Sequence, residues 1–285
     1  DEQAARQSLD AAFDRMGEIE SIFNIHDNQT PTARLNSNGR LLNPPPELTH
    51  ILHESIEYNR LTSGAFDVSV QPILDLYSKS FQESGMAPTQ QEIGETLKLV
   101  GSEGITINDE GIMLADGMKL TYGGIAKGYA IDEAVKNLKA GGVDSGLVDA
   151  GGDIYAFGVK PSGEWSIALR NPRNKTQYLT SLQVSDMAVA TSGDYERYYI
   201  EKQAHHIVNP KTGKSSGHVI SATVLAGSAV EADALATSLM VMQPLRSLAL
   251  IESLNGTEAL IILSDKTVQK TSGWPGSVKQ IAENN

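Results

Sequence analysis

The chain has 285 residues, 40% hydrophobic and 20% charged, with 23 Lys and Arg against 35 Asp and Glu for a formal charge of −12. That is ordinary globular composition with ample material for a core, and Coulomb repulsion from the acidic excess argues against a general nucleic-acid or anionic-membrane binder. The absence of cysteine excludes disulfides, thiolate metal sites and cysteine nucleophiles.

Leu9, Phe13, Met16, Ile19 and Phe23 recur at helical spacing and predict an amphipathic helix over 4–23. The polar, Asn-, Pro- and Gly-rich stretch from Asn24 to Pro46 reads as loop. A second helix is predicted from Pro46 to Leu61, broken by Ser63-Gly64, and Ala65 to Val70 reads as a short extended segment ending at Pro72. Thr89 followed by Glu92 is a capping box opening a helix that ends near Val100-Gly101. Ile105 to Leu114 alternates around Asn108-Asp109-Glu110-Gly111 and predicts a hairpin. A helix from Gly124 to Ala140 follows, then strands over 147–149, 154–159, 165–170, 178–184 and 188–191. Ile220 to Ala226 is a further strand, ahead of a helix from Ala229 to Met242 and a late strand over 259–263.

Helices and strands come in blocks, without regular βαβ alternation, which favours an α+β fold with mixed or antiparallel sheets and flanking helices. Without repeats or a linker, a single compact domain over 1–285 is expected. No run of about 18 apolar residues predicts a membrane span. Asp1-Glu2-Gln3 lacks a basic or apolar leader, so any signal peptide is expected to be gone already.

Two segments carry most of the chemistry. In Glu231-Ala232-Asp233-Ala234-Leu235-Ala236-Thr237, Asp233 and Thr237 lie four residues apart and share one helical face. One reading is a solvent-facing Asp beside a Thr bonded to its own helix. The other is a hard-cation site, since Mg²⁺ takes few protein oxygens and leaves room for substrate phosphate. The second segment, Tyr122-Gly123-Gly124 through Gly128, is a glycine-opened helix start where bare backbone can approach phosphate or metal. It lacks the Gly-Lys-Ser/Thr of a P-loop, and a plain turn is the alternative. Lys127 in the first helical turn opposes the macrodipole unless an anion lies nearby. Together the two segments predict one convergent magnesium–pyrophosphate site.

Other motifs are more ambiguous. Gly151-Gly152-Asp153 is a tight turn or a close backbone approach to ligand. Thr191-Ser192-Gly193-Asp194-Tyr195 reads as a polar loop open to ribose or phosphate. Arg197 with Tyr195, Tyr198 and Tyr199 is an aromatic binding wall or a strand's packing face. His205-His206 precedes a turn at Asn209-Pro210 and lacks a second ligand cluster, which argues against zinc. Surface histidines and acid–base or positioning roles both remain open.

Taken in order, Thr62-Ser63-Gly64-Ala65-Phe66-Asp67, Gly123 through Asp132, Gly151-Gly152-Asp153, Ala190-Thr191-Ser192-Gly193, His206-Ile207-Val208-Asn209-Pro210 and Glu231 through Thr237 resemble the FAD:protein FMN transferases, the ApbE-like family. The resemblance covers nearly the whole chain. It implies a Mg²⁺-dependent enzyme, periplasmic or attached to the outer face of a bacterial inner membrane. Such an enzyme binds FAD as substrate and transfers FMN to a Thr or Ser of an acceptor protein, releasing AMP. Under that resemblance Asp233 and Thr237 are side-chain metal ligands, Gly124 a backbone-carbonyl ligand, and the carbonyl of Ala236 an assistant. Ala65, Phe66 and Asp67 match the segment lining the flavin site, and Lys127 and Val208 match further FAD contacts. His206 matches the histidine that deprotonates the acceptor hydroxyl.

This chain departs from the family pattern in three places: the opening strand has no clear counterpart, His26 stands where relatives carry Tyr or Asn beside the flavin, and Thr121 where many carry an FAD-contacting Asp. Two other functions fit the same motifs: an FAD pyrophosphatase using water as acceptor, and a flavin-binding protein without chemistry.

Overall fold

The computed structural model describes residues 2–195, 198–200 and 204–279. Helix α1 (Glu2–Phe23) buries Ala12, Ile19, Ile22 and Phe23, but Leu9 and Phe13 stay 49% and 70% exposed, so the first part of the predicted apolar stripe is not core. The stretch expected to be loop holds α2 (Pro31–Asn38) and strand β1 (Arg40–Leu42). Composition hid a complete set of helix signals there. The Thr30 side chain caps Ala33 N, Pro31 fills the first turn, and Gly39 ends the helix at φ 68°. Helix α3 (Pro46–Leu61) has the predicted bounds and buries Leu48, Ile51, Leu52 and Ser55, one face at i, i+3, i+4 and i+7.

The extended segment expected before Pro72 is instead a 3₁₀ turn, Val68–Val70, running into α4 (Gln71–Ser84). Proline in a first helical turn lacks only an N–H that would have had no partner, so Pro72 starts this helix where it was read as a stop. Helix α5 (Gln90–Thr96) opens on the predicted box: Thr89 Oγ1 accepts from Glu92 N at 3.3 Å and the Glu92 carboxylate accepts from Thr89 N at 2.7 Å. Strands β2 (Ile105–Asn108) and β3 (Gly111–Leu114) form the predicted hairpin. After α6 (Ala126–Ala140) come β4 (Gly146–Ala150), β5 (Asp153–Phe157), β6 (Trp165–Asn171), β7 (Asn174–Val184) and β8 (Met187–Gly193). Short strands β9 (Tyr198–Ile200) and β10 (Ala204–His205) precede β11 (Val219–Ala226), α7 (Ala229–Val241), α8 (Pro244–Glu252), β12 (Glu258–Leu263) and β13 (Val268–Lys270). Neither α8 nor β13 was anticipated.

Every strand pairing among the described residues is antiparallel, and the class is α+β as expected. By its internal contacts the chain divides into two compact units. One comprises Asp1–Met16, Lys127–Gly193 and Gly217–Asn285. Its six-stranded sheet has the order β13-β12-β11-β8-β5-β4, with β6 and β7 forming a separate ribbon. Ribbon residues Ile167, Leu169, Leu179, Leu182 and Val184 join Val189, Ile220, Leu225, Leu260, Ile262 and Trp274 in one apolar cluster. Helix α7 packs on β11 and β8, and all eight residues of β11 are buried, as expected of a central strand covered on both faces. The turn from β4 to β5 carries Gly151 and Gly152 at φ 66° and 98°, the two left-handed positions of a tight hairpin that glycine fills without strain.

The other unit comprises Gly17–Ala126 and Asp194–Ser216. It holds the three-stranded sheet β1-β3-β2, the pair β10-β9 and a core of Ile73, Tyr77, Ile93, Ala204 and Val208.

Candidate functional site

Within the first unit, the end of the glycine-rich segment, Lys127-Gly128, meets the Asp233 segment. Helix α7 starts at a Ser228 cap whose side chain accepts from Glu231 N at 3.2 Å, and one turn later it carries Asp233. The solvent-facing reading of Asp233 is excluded, because the residue is only 4% exposed. Its Oδ2 accepts from the N–H of Gly128, at the start of α6, at 3.1 Å. Thr237 lies one turn further along the same face, half-buried, with its hydroxyl 3.3 Å from Ser192 Oγ, while Ala236 is buried.

Lys127, the cation that sat awkwardly at a helix start, has its anion: its ammonium pairs with the Asp153 carboxylate. Asp153 is 2% exposed, and its other oxygen accepts from Thr191 N at 3.1 Å. The Thr191 hydroxyl is 2.9 Å from that of Thr223. Burial, the neighbouring Asp153 charge and only partial relief from Lys127 and Gly128 push the Asp233 carboxyl up to about 7. With all three groups ionised, Asp233, Asp153 and Lys127 carry a net single negative charge in a desolvated setting. Such a cluster is relieved by a cation.

The donor set fits a hard divalent ion. It is all oxygen, it includes a buried carboxylate that accepts one hydrogen bond among the described residues, and a hydroxyl stands one turn away. Among the described residues there is no cluster of three or more His, Asp or Glu, so any cation here relies on hydroxyl, carbonyl and ligand oxygens besides Asp233.

The second unit holds the remaining sequence candidates. Tyr122 is buried edge-on against Phe23, ring centroids 4.9 Å apart, and its carbonyl accepts from Ile125 N and Ala126 N at 3.0 and 2.9 Å, so half-buried Gly124 sits inside a defined turn. Thr121 is half-buried and tied by its N–H to Val68 O at 2.7 Å. Ala65 is half-buried. Phe66 is core, edge-on to Tyr58 at 6.2 Å. The Asp67 carboxylate accepts from Ser69 N (2.8 Å), Ser69 Oγ (2.6 Å) and Asn59 Nδ2 (3.0 Å). His26 is exposed in the α1–α2 connection, its N–H on Asn24 Oδ1.

The two adjacent histidines differ. His205 is buried; its Nδ1 accepts from Ile207 N at 3.3 Å, which assigns the proton to Nε2, the donor to Ser216 O at 2.7 Å. Its backbone N–H and carbonyl both bond Ser215 Oγ. His206 is half-buried, and Val208 is buried and bridges Ser215 at the base of the Asn209–Gly213 turn.

Sequence reasoning missed three groups. The Gly151-Gly152-Asp153 motif suggests a tight turn or a backbone approach to ligand, and neither reading gives the Asp153 carboxylate a role. The predicted strand ends at Thr191, with Ser192 in the polar loop that follows, yet β8 runs to Gly193. Asp132, inside the glycine-rich motif, was given no role, yet its two oxygens accept from Ala229 N and Val230 N at 2.8 and 2.9 Å. Position along an element could have flagged Asp153, the first polar residue of an otherwise apolar strand; nothing local announces a carboxylate that caps a helix 97 residues away. The proposed aromatic wall includes Arg197, which lies outside the described residues, as do the side chains of Tyr198 and Tyr199.

The chain belongs to the ApbE family, whose model matches residues 2–261. Among its relatives, the FAD:protein FMN transferase of Vibrio cholerae is 33% identical over 254 residues, covering 86% of this chain and 72% of the relative. The enzyme of that name from Haemophilus influenzae is 30% identical over 264 residues, covering 87% and 76%. Among solved structures, the ApbE protein of Thermotoga maritima superposes with a TM-score of 0.86 at 30% identity over 94% of this chain and 89% of that one. The flavin transferase ApbE of Vibrio cholerae gives 0.80 at 27%, over 95% and 90%.

Proposed function

We propose that this chain is a Mg²⁺-dependent FAD:protein FMN transferase. The observation that carries the reading is the buried, under-satisfied Asp233, one helical turn from the Thr237 hydroxyl and beside the N-terminus of α6, in a chain whose relatives bear that name. Asp233, Thr237 and the carbonyls of Gly124 and Ala236 would hold the ion, which, when bound, would neutralise diphosphate charge. His206 takes the proton from a Thr or Ser hydroxyl of the acceptor protein. The hydroxyl oxygen then bonds to the FMN-side phosphorus, the bond from that phosphorus to the bridging oxygen breaks, and AMP leaves with the bridging oxygen. His26, Ala65, Phe66, Asp67, Thr121, Lys127 and Val208 belong to the FAD-binding set. The match over 2–261 supports treating 1–285 as one functional domain. The resemblance also supports a periplasmic or membrane-attached location; among the described residues no helix is long and apolar enough to cross a membrane.

The test incubates the protein with FAD, Mg²⁺ and a candidate acceptor and weighs the acceptor. Covalent gain of FMN with release of AMP is expected, lost on chelation and reduced about 10²–10⁴-fold by His206→Ala. Free FMN with an unmodified acceptor would instead indicate hydrolysis, and intact FAD a binding protein without chemistry.

A further inference from the structure

Helices α6 and α7 are tied at two levels. Gly128 and Asp132 lie four residues apart and so on one face of α6. The upper tie is Gly128 N–H to Asp233 Oδ2 at 3.1 Å. The lower is a fork: Asp132 Oδ1 and Oδ2 accept from Ala229 N at 2.8 Å and Val230 N at 2.9 Å. These are the first two N–H groups of α7, which no intrahelical carbonyl can reach, and Ser228 covers the third. The helices also touch closely. A Cβ at Gly128 would stand 2.2 Å from Ala229 O and 2.8 Å from Val230 Cα. One contact would leave α7 free to roll about its axis; a two-oxygen fork plus a bond one turn later fixes both its depth and its rotation.

We propose that Asp132 is a positioning residue for the cation site: by bridging Ala229 and Val230 it sets the rotation of α7 that aims Asp233 and Thr237 together. This inference rests on the magnesium reading of Asp233 and Thr237 and deepens it. The rival is a cap that only stabilises α7. That role would lower the melting temperature and leave the Mg²⁺ affinity of the folded protein alone.

The full chain is titrated with Mg²⁺ by calorimetry as wild type, Asp132→Asn and Asp233→Asn, with circular dichroism to establish folding, and FMN transfer is followed against Mg²⁺ concentration. Asp132→Asn keeps the shape but turns one accepting oxygen into an NH₂ that faces an N–H. Its Mg²⁺ Kd should rise about tenfold or more, the range for residues that orient metal ligands, while kcat at saturating Mg²⁺ returns to within a few-fold of wild type. A wild-type Kd in folded Asp132→Asn overturns the inference; should that variant not fold, Asp132→Ser, with one accepting oxygen, is judged by the same criterion. Asp233→Asn separates the two readings. If it binds Mg²⁺ like wild type, the magnesium site itself is wrong and Asp132's role falls with it. If it loses binding while Asp132→Asn keeps it, only the positioning role falls.

Discussion

Asp67 and Asp233 are both carboxylates drawn out of water, one in each compact unit, and they are held in opposite ways. Among the described residues Asp67 accepts from Ser69 N, Ser69 Oγ and Asn59 Nδ2, and a backbone hydrogen bond from Ser102 adds to them. Asp233 accepts from one donor among the described residues, Gly128, across more than a hundred residues, and it shares its surroundings with the Asp153 carboxylate. Burial raises both, but the Ser69 bonds hold Asp67 back, whereas Asp233 reaches about 7. An acid whose lone pairs are largely filled by the chain is held in a fixed orientation and has little left to offer a metal ion; one left short beside a second acid has oxygen to spare for a cation.

Asp233→Asn should break that contrast most severely. FMN transfer falls by about 10²–10³-fold or more, the scale for removing one fixed electrostatic stabiliser, yet urea melts in EDTA show no loss of stability. Asp233 is fully buried, so an isosteric variant is needed; alanine would also open a hole.

The second test uses pH. The folded-state pKa of Asp233 is raised, so its ionisation opposes folding. In EDTA the wild type should therefore lose stability relative to Asp233→Asn as pH rises from about 4 to about 7, then stay level, a difference of a few kcal/mol at most. Added Mg²⁺ should reverse that difference above pH 7. A flat difference across the window would mean that Asp233 ionises without cost.

Asp67→Ala sharpens the other side. It strands Ser69 N–H and Asn59, and should cost about 1–3 kcal/mol in urea melts without shifting Mg²⁺ affinity measured by calorimetry. The smallest effect belongs to the Lys98–Glu95 pair, exposed on both sides. Lys98→Ala should change stability by less than about 0.5 kcal/mol by urea melts.

What the sequence revealed follows from where each signal resides. Helix α3 was legible to the residue because Pro46 opens it and Ser63-Gly64 closes it, and the Thr89–Glu92 box is local by construction. Three helices were missed for related reasons. In α4 and α8, proline early in the helix was read as a stop or passed over, and in α2 polar composition outweighed a cap, a proline and a terminal glycine. At the site, Asp233 and Thr237 were readable because four-residue spacing alone puts them on one face. Asp153 and Asp132 were not, since their roles exist only once β5 meets Lys127 and α6 meets α7.

The glycine-rich run holds positions of unequal freedom. At Gly123 the nearest atom to an added methyl is Thr121 Oγ1 at 3.8 Å, an ordinary contact, whereas Gly128 presses against the backbone of a neighbouring helix. A saturation library selected for function should therefore tolerate alanine or serine at 123 and return only glycine at 128. The invariance would come from two main chains competing for one volume.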